Sequence, residues 1–278
     1  MSDRYGVFGN PVGHSRSPAI HAAFAAACHQ DLVYEAILAP LDGFAASVRA
    51  FVEAGGCGAN VTLPFKPEAC RLATRLTSRA RLAGAVNTLS FDGQEWLGDN
   101  TDGAGLLRDL AHNLGCPIAG MRVLLLGAGG AARGVLGPLL EAGPRRLVIA
   151  NRTEARAHEL AARMASAGEV SGCSHAQLAG QSFDLLINAT SASLAGAPLP
   201  LPDGLFASGS LAYDMMYGDG QTPFLRLAGR CGAARLADGL GMLVEQAAEA
   251  FCLWRGVRPA TAPVLAMLRS AGRDTGGQ

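Results

Sequence analysis

The sequence predicts an α/β protein of two domains with mainly parallel strands. Short apolar runs alternate with amphipathic stretches along the whole chain, the pattern of strands crossing over through helices. The series starts afresh after a glycine- and proline-containing stretch near residue 115. At 278 residues, length admits one large domain or two ordinary ones, and the second series favours two. A composition 49% hydrophobic and 17% charged buries a core and excludes disorder.

In the first hundred residues, strands fit Arg4–Phe8, Leu32–Ile37, Gly58–Val61 and Val86–Phe91. Helices fit Pro18–Cys28, Leu41–Ala54 and Pro67–Ala73, two of them opening on a proline, which suits a first helical position. "FDGQEWLG" places an Asp-Gly turn between two half-strands, a hairpin signal. A helix runs from about Asp102 to Asn113, and "GCPIAGMR", Gly115 to Arg122, reads as a linker. In the second series, strands fit Val123–Leu126, Leu147–Ala150, Leu185–Asn188, Ala212–Met215 and Ala234–Ala237. The end of the chain is expected to be helical over Leu240–Trp254 and Thr261–Leu268, with "AGRDTGGQ" as a frayed tail.

Charge and cysteine usage narrow the partners. With 23 basic and 23 acidic residues the formal charge is zero, which argues against nucleic acid or an anionic membrane. No apolar run reaches the ~18 residues of a membrane span, and no signal peptide is visible at "MSDRYGVFGNP". The seven cysteines are scattered without zinc-ligand or redox spacing. Reduced thiols and a cytoplasmic location are expected.

The most specific local signal is "MRVLLLGAGGAARGVLGPLLEAG". An apolar strand ends at Leu126, and Gly127, Ala128, Gly129, Gly130 and Ala131 lead into a helix. Glycines there allow a tight turn and close approach to phosphate, and the helix N-terminus supplies free N–H groups. Strand, glycines, helix and next strand in order point to a Rossmann-type dinucleotide site. The next strand ends in "VIANRTEAR". NAD enzymes usually carry an acidic residue at this place; this chain has Asn151, Arg152, Thr153 and Arg156. Two cations and two small polar groups suit a 2′-phosphate, so NADP is favoured over NAD. The plainer alternative is a helix N-cap at Thr153 with solvated arginines.

A second constellation lies outside this turn. Lys66 is the only lysine; subtracting it from the 23 basic residues leaves 22 arginines. Arginine is effectively never deprotonated, whereas a lysine ammonium exchanges a proton. Lys66 precedes Pro67, so it is expected to be extended ahead of a helix start. Asn60 and Thr62, two apart at a strand end, are expected to share a face. Ser15 and Ser17 repeat the spacing, with Ser17 as the expected cap of a helix starting at Pro18; a substrate carboxylate suits that place. "AGAVNTLS" offers Asn87 inside an apolar strand, and "LGDNTDGAG" offers Asp102 at a helix beginning. Each has an ordinary explanation, a satisfied core amide or a charge at a helix dipole. Their coexistence beside a cofactor signal is what raises the functional reading.

The motifs together resemble the shikimate dehydrogenase family over nearly the whole chain: "GNPVGHSRSP", "NVTLPFKP", "GAVNTL", "GDNTDG", "GAGGAARG", "NRT", "INATS", "YDMMY" and "GLGMLVEQAA". The resemblance implies reversible NADP-linked interconversion of 3-dehydroshikimate and shikimate, in chorismate and aromatic amino-acid biosynthesis. It implies that Lys66 and Asp102 are the catalytic pair, and that Ser15, Ser17, Asn60, Thr62, Asn87, Tyr217 and Gln246 hold the substrate. It adds Thr190, Met215 and Gly239 to the cofactor residues Gly127 to Ala131, Asn151, Arg152, Thr153 and Arg156. It also implies a discontinuous substrate domain, residues 1–101 with 240–278, around an NADP domain of residues 102–239. One departure stands out: Ser193 occupies a position where the family commonly has glycine, which implies a different local backbone.

On reduction the ketone oxygen becomes an alkoxide, which the Lys66 ammonium is suited to stabilise and protonate. No metal is expected, and a monomer or homodimer is. Two alternatives stay open: a quinate/shikimate dehydrogenase with broader substrate or cofactor use, and a non-catalytic NADP-binding regulatory homologue on the same scaffold.

Overall fold

A computed structural model of the chain describes residues 2–190, 199–218 and 220–274. The chain divides into two units. The first takes in the residues up to Gly105 together with Leu243–Ala271, and the second takes in Leu106–Met242.

The first unit is built on strands β1 (Asp3–Gly9), β2 (Leu32–Leu38), β3 (Gly56–Val61), β4 (Arg75–Leu76), β5 (Thr88–Asp92) and β6 (Glu95–Asp99). They lie in the order β2-β1-β3-β5-β6-β4. β1 runs parallel to β2 and β3, and β4 parallel to β6, whereas β3–β5 and β5–β6 are antiparallel. The β5–β6 hairpin is closed by the Asp92-Gly93 turn, where Gly93 takes φ +57°, a backbone glycine adopts without strain. Helices α1 (Ser17–Ala27), α2 (Phe44–Glu53), α3 (Lys66–Leu72) and α4 (Ser78–Ala83) accompany the sheet. Phe8, Phe44, Phe51, Val61 and Phe65 form much of its core.

The second unit holds β7 (Arg122–Leu126), β8 (Arg146–Ala150), β9 (Val170–Cys173), β10 (Phe183–Asn188), β11 (Phe206–Asp214) and β12 (Arg235–Ala237). Every neighbour pair is parallel, in the order β12-β11-β10-β7-β8-β9. This is the doubly wound arrangement, with its reversal of strand order between β7 and β10. Alternate strand residues separate cleanly onto two faces. Val123, Leu125, Leu147, Ile149, Leu185 and Ile187 enter one core, and Leu124, Leu126, Val148, Ala150 and Leu186 the other. A sheet covered on both faces requires such unbroken apolar strands. Helices α5 (Asp102–Arg108), α6 (Gly130–Glu141), α7 (Glu154–Met164) and α8 (Pro223–Arg230) come next in chain order, followed by α9 (Leu240–Arg255) and α10 (Ala262–Asp274). The later turns of α9 and most of α10 belong to the first unit. There the Trp254 indole donates to the Leu89 carbonyl at 2.9 Å, over a space that a Cβ on Gly58 would fill.

Several expectations are corrected. Ser17 does not cap α1: it is the first helical residue, and Arg16 stands at the cap in helical geometry. Lys66 is not extended but opens α3. The restriction on residues before proline is overridden at both places, because the helix start places the proline second, where no intrahelical N–H is needed. Asn87 precedes β5 rather than lying inside it. Helix α5 passes at Asp109–Asn113 into a π-helical turn, and α10 continues through the first residues of the expected frayed tail.

Candidate active site

The first unit gathers five of the candidate residues into one hydrogen-bonded web. Lys66, at the start of α3, places Nζ 2.6 Å from Oδ2 of Asp102. Asp102 opens α5, its N–H accepted by the Asn100 side chain at 3.2 Å. The other carboxylate oxygen, Oδ1, accepts from the Asn87 amide at 2.8 Å. That amide also donates to Oγ1 of Thr101 at 2.9 Å and lies 3.3 Å from Oε1 of Gln246 on α9. The Thr101 backbone N–H donates to Oδ1 of Asn87 at 2.8 Å. Because that N–H is only a donor, the orientation of the Asn87 amide is fixed.

Asn60, near the end of β3, is bound as tightly. It donates to the Asn87 carbonyl at 3.2 Å and to Oγ1 of Thr88 at 3.1 Å, and accepts from the Tyr34 hydroxyl at 2.7 Å. An amide has two donor and two acceptor positions, so both donor positions of Asn60 and one acceptor position are taken. Burial, opposed by a hydrogen bond with Ser17, raises Tyr34 well above the ordinary phenol range, so it is a neutral donor. The His21 ring stacks on Tyr34 at 4.2 Å between centroids. Burial, opposed by the nearby Asn60 side chain, pushes His21 down to about 3, and neither ring nitrogen has a partner in good hydrogen-bond geometry.

The turn before Asp102 is anchored from behind. Asp99, 1% exposed, accepts from Arg79 at 2.5 and 2.7 Å and from Thr77 at 2.6 Å. Arg79 continues to Glu249 at 3.1 Å on the same helix as Gln246. Ser15 contributes differently: its Oγ accepts the Ser17 N–H at 3.3 Å. Thr62 follows β3 and holds its backbone N–H on the Phe8 carbonyl at 2.8 Å. Among the described residues, neither Ser15 nor Thr62 is hydrogen-bonded to the Lys66 group.

In the second unit the cofactor candidates collect at the carboxyl ends of parallel strands. Gly127 follows β7 with φ +106°, and a Cβ there would come within 3.0 Å of Thr190. Gly129 caps α6 without any side-chain bond to its free N–H groups, and Cβ atoms on Gly129 and Gly130 would meet open space. Ala128 and Ala131 flank them in the same turn. After β8, the Asn151 amide donates to the Thr153 carbonyl at 2.8 Å. Thr153 stands at the cap of α7, yet its side chain makes no capping bond, so the capping alternative does not account for it. Arg152 and Arg156 are exposed, and Nε of Arg133, in the first turns of α6, is buried without a hydrogen-bond partner. Thr190 donates its backbone N–H and its hydroxyl to Oδ1 of Asn188, at 3.1 and 2.7 Å. Gly239 lies against Met215 so closely that a Cβ would sit 2.2 Å from the Met215 carbonyl. Tyr217 follows β11 in this unit. Ser193 lies outside the described residues. No group of acidic, histidine or cysteine residues suited to a metal occurs among the described residues.

Sequence reasoning missed Tyr34, Thr88, Thr101 and Arg133. Only the position of Thr88 and Thr101 inside the "GAVNTL" and "GDNTDG" motifs carried any signal for them.

Three family profiles match the chain: "Shikimate dehydrogenase substrate binding domain" over residues 7–89, "Shikimate / quinate 5-dehydrogenase" over 109–195, and "Shikimate 5'-dehydrogenase C-terminal domain" over 239–269. The chain is 66% identical over 270 residues to the shikimate dehydrogenase (NADP(+)) of Dechloromonas aromatica, covering 97% of this chain and 98% of the relative. It is 64% identical over 271 residues to that of Nitrosospira multiformis, covering 98% of each. Among solved structures it is similar to shikimate 5-dehydrogenase from Thermus thermophilus in complex with NADP(H) and shikimate. That match has a TM-score of 0.85 at 35% identity and covers 97% of this chain and 99% of the other.

Proposed function

This chain belongs to the shikimate dehydrogenase family, and we propose that Lys66 and Asp102 handle the proton of its reaction. It is an oxidoreductase acting on a secondary alcohol with NADP, interconverting 3-dehydroshikimate and shikimate. The observation that carries the residue assignment is the 2.6 Å contact between Lys66 and Asp102 within a web that also holds Asn87 and Gln246.

The residues of the second unit fit NADP. The uncapped start of α6 and the open space over Gly129 and Gly130 suit a pyrophosphate. Arg152, Arg156 and Thr153 suit a 2′-phosphate, with Asn151 beside them and the orphaned Arg133 Nε as a further donor. Met215 and Gly239 suit the nicotinamide end, and Thr190, beside Gly127, is a further cofactor residue. When bound, the cofactor supplies or accepts the hydride.

The substrate is held by hydrogen bonds to its carboxylate and hydroxyls. Ser15 and Ser17 take the carboxylate; Asn60, Thr62, Asn87 and Gln246 take hydroxyls, and Tyr217 lies on the substrate side. Asn60 reads a hydroxyl as an acceptor only, since its two N–H bonds are spent. The Lys66 ammonium, with one N–H on Asp102, directs a remaining N–H to the carbonyl oxygen. It stabilises the negative charge that develops there and delivers the proton. In oxidation the pair takes that proton back as one coupled unit.

The seven cysteines are free thiols, which supports a cytoplasmic setting, and no described helix is long and apolar enough to cross a membrane. The chain acts as a monomer or homodimer, which sedimentation will distinguish. The activity is tested with purified protein, shikimate or quinate, and NADP or NAD. Turnover of shikimate with NADP in clear excess over the other three combinations is expected. Equal use of quinate or of NAD would contradict the assignment.

A further inference from the structure

Thr88 is wholly buried and touches no space a substrate can enter, yet its hydroxyl joins two substrate-binding candidates. Thr88 lies directly opposite Asn60 in the antiparallel β3–β5 pair, where facing side chains meet. The Asn60 amide donates to Oγ1 of Thr88 at 3.1 Å, and that hydroxyl donates to Oδ1 of Asn87 at 2.8 Å.

The direction of each bond is determined. The Asn87 carbonyl is only an acceptor, so the atom of Asn60 facing it is the amide nitrogen. The Thr101 N–H is only a donor, so the atom of Asn87 facing it is the amide oxygen. Between a donor on Asn60 and an acceptor on Asn87, the Thr88 hydroxyl donates to Oδ1 of Asn87 at 2.8 Å in preference to Oγ1 of Thr101, which lies farther away at 3.4 Å. The bonds then run one way: Tyr34 to Asn60, Asn60 to Thr88, Thr88 to Asn87, and Asn87 to Asp102. Chains of aligned hydrogen bonds in a dry interior polarise and stiffen one another.

We propose that Thr88 is a positioning residue for the reaction: the Thr101 N–H sets which way the Asn87 amide faces, and the Thr88 hydroxyl is the second donor that holds Oδ1 of Asn87 in place, keeping its N–H on Asp102 and coupling the hydroxyl-reading Asn60 to the proton-handling pair. It acts through Asn87 and touches neither substrate nor cofactor. The inference rests on the assignment of Asp102 and Lys66 made above.

Two near-isosteric variants separate this role from a packing role. Thr88→Val keeps the shape and loses the hydroxyl; Thr88→Ser keeps the hydroxyl and leaves a methyl-sized void. The expected result is that Thr88→Val lowers kcat about tenfold, the scale of one net hydrogen bond, with little change in the KM for NADP, and melts somewhat earlier because the buried Asn60 N–H loses its acceptor. Thr88→Ser is expected to melt earlier and to restore most of the kcat lost in the valine variant. Activity that follows melting temperature instead of the hydroxyl would overturn the proposal. The side-chain amide resonances of Asn87, followed by NMR in the protein without substrate, give a readout independent of turnover. They should shift in Thr88→Val and return in Thr88→Ser; unchanged resonances in the valine variant would overturn the chain. Shifted resonances in a protein whose wild type fails to oxidise shikimate would leave the chain standing and remove only the family activity.

Discussion

Nζ of Lys66 lies 2.6 Å from Oδ2 of Asp102, while Oδ1 of the same carboxylate accepts the Asn87 amide at 2.8 Å. Both oxygens of Asp102 are therefore engaged, and its carboxylate orients the ammonium. Replacing Asp102 by asparagine turns one oxygen into a donor facing another donor. Asp102→Asn should fold, bind NADPH as before and lose about 100-fold in kcat, the lower range for a positioned acid–base group. The KM for shikimate should move only a few-fold. Steady-state kinetics decide it; a kcat within threefold of wild type would remove Asp102 from the pair.

Arg152 and Arg156 should carry the choice of coenzyme. A charge-assisted bond is worth about 1.5–3 kcal/mol, or roughly 10- to 150-fold in affinity. The double variant Arg152→Ala/Arg156→Ala should lose its preference for NADPH over NADH while kcat with saturating coenzyme stays close to wild type. Fluorescence titration with both coenzymes reads this directly, and a retained preference would contradict the role.

Gly239 packs where a Cβ would stand 2.2 Å from the Met215 carbonyl, a distance that backbone must yield to accommodate. Gly239→Ala should displace Met215, raise the KM for NADP at least several-fold and lower the melting temperature. Unchanged coenzyme kinetics would show that this junction does not border the nicotinamide.

Much of this was legible in the sequence. The glycine turn, the parallel strands around it and the residues after β8 follow from local chemistry, because each helix and strand carries its own periodicity. Lys66 stood out by composition, and Asp102 by its place at a helix start. What sequence did not reveal depends on tertiary pairing. The Thr88 hydroxyl acquires meaning only because β3 and β5 pair antiparallel. Ser17 and Lys66 depart from the sequence expectation because the local bias before proline yields to the geometry of a helix start. Short β9 and α4 carry too few periodic residues to announce themselves.

His21 makes folding stability depend on pH with a definite sign. Its folded-state pKa, about 3, lies below the ordinary imidazole value of 6.5, so between these values the unfolded chain binds a proton that the fold does not. Its contribution is complete above pH ~6.5 and is lost as pH falls toward 3. From pH 7 to pH 5 it should cost about 2 kcal/mol. Urea unfolding of wild type and His21→Gln at both values isolates it: the variant should lose less stability across this interval. Parallel losses would mean that His21 is not the source.

The most direct test of the proton-handling assignment is kcat for shikimate oxidation by Lys66→Arg, measured beside its melting temperature and NADP affinity. Arginine keeps a positive charge beside Asp102 but does not exchange a proton. The expected result is a folded, coenzyme-binding protein with kcat at least ~100-fold below wild type. Turnover within tenfold of wild type would contradict it and return the only lysine of this chain to an accident of composition.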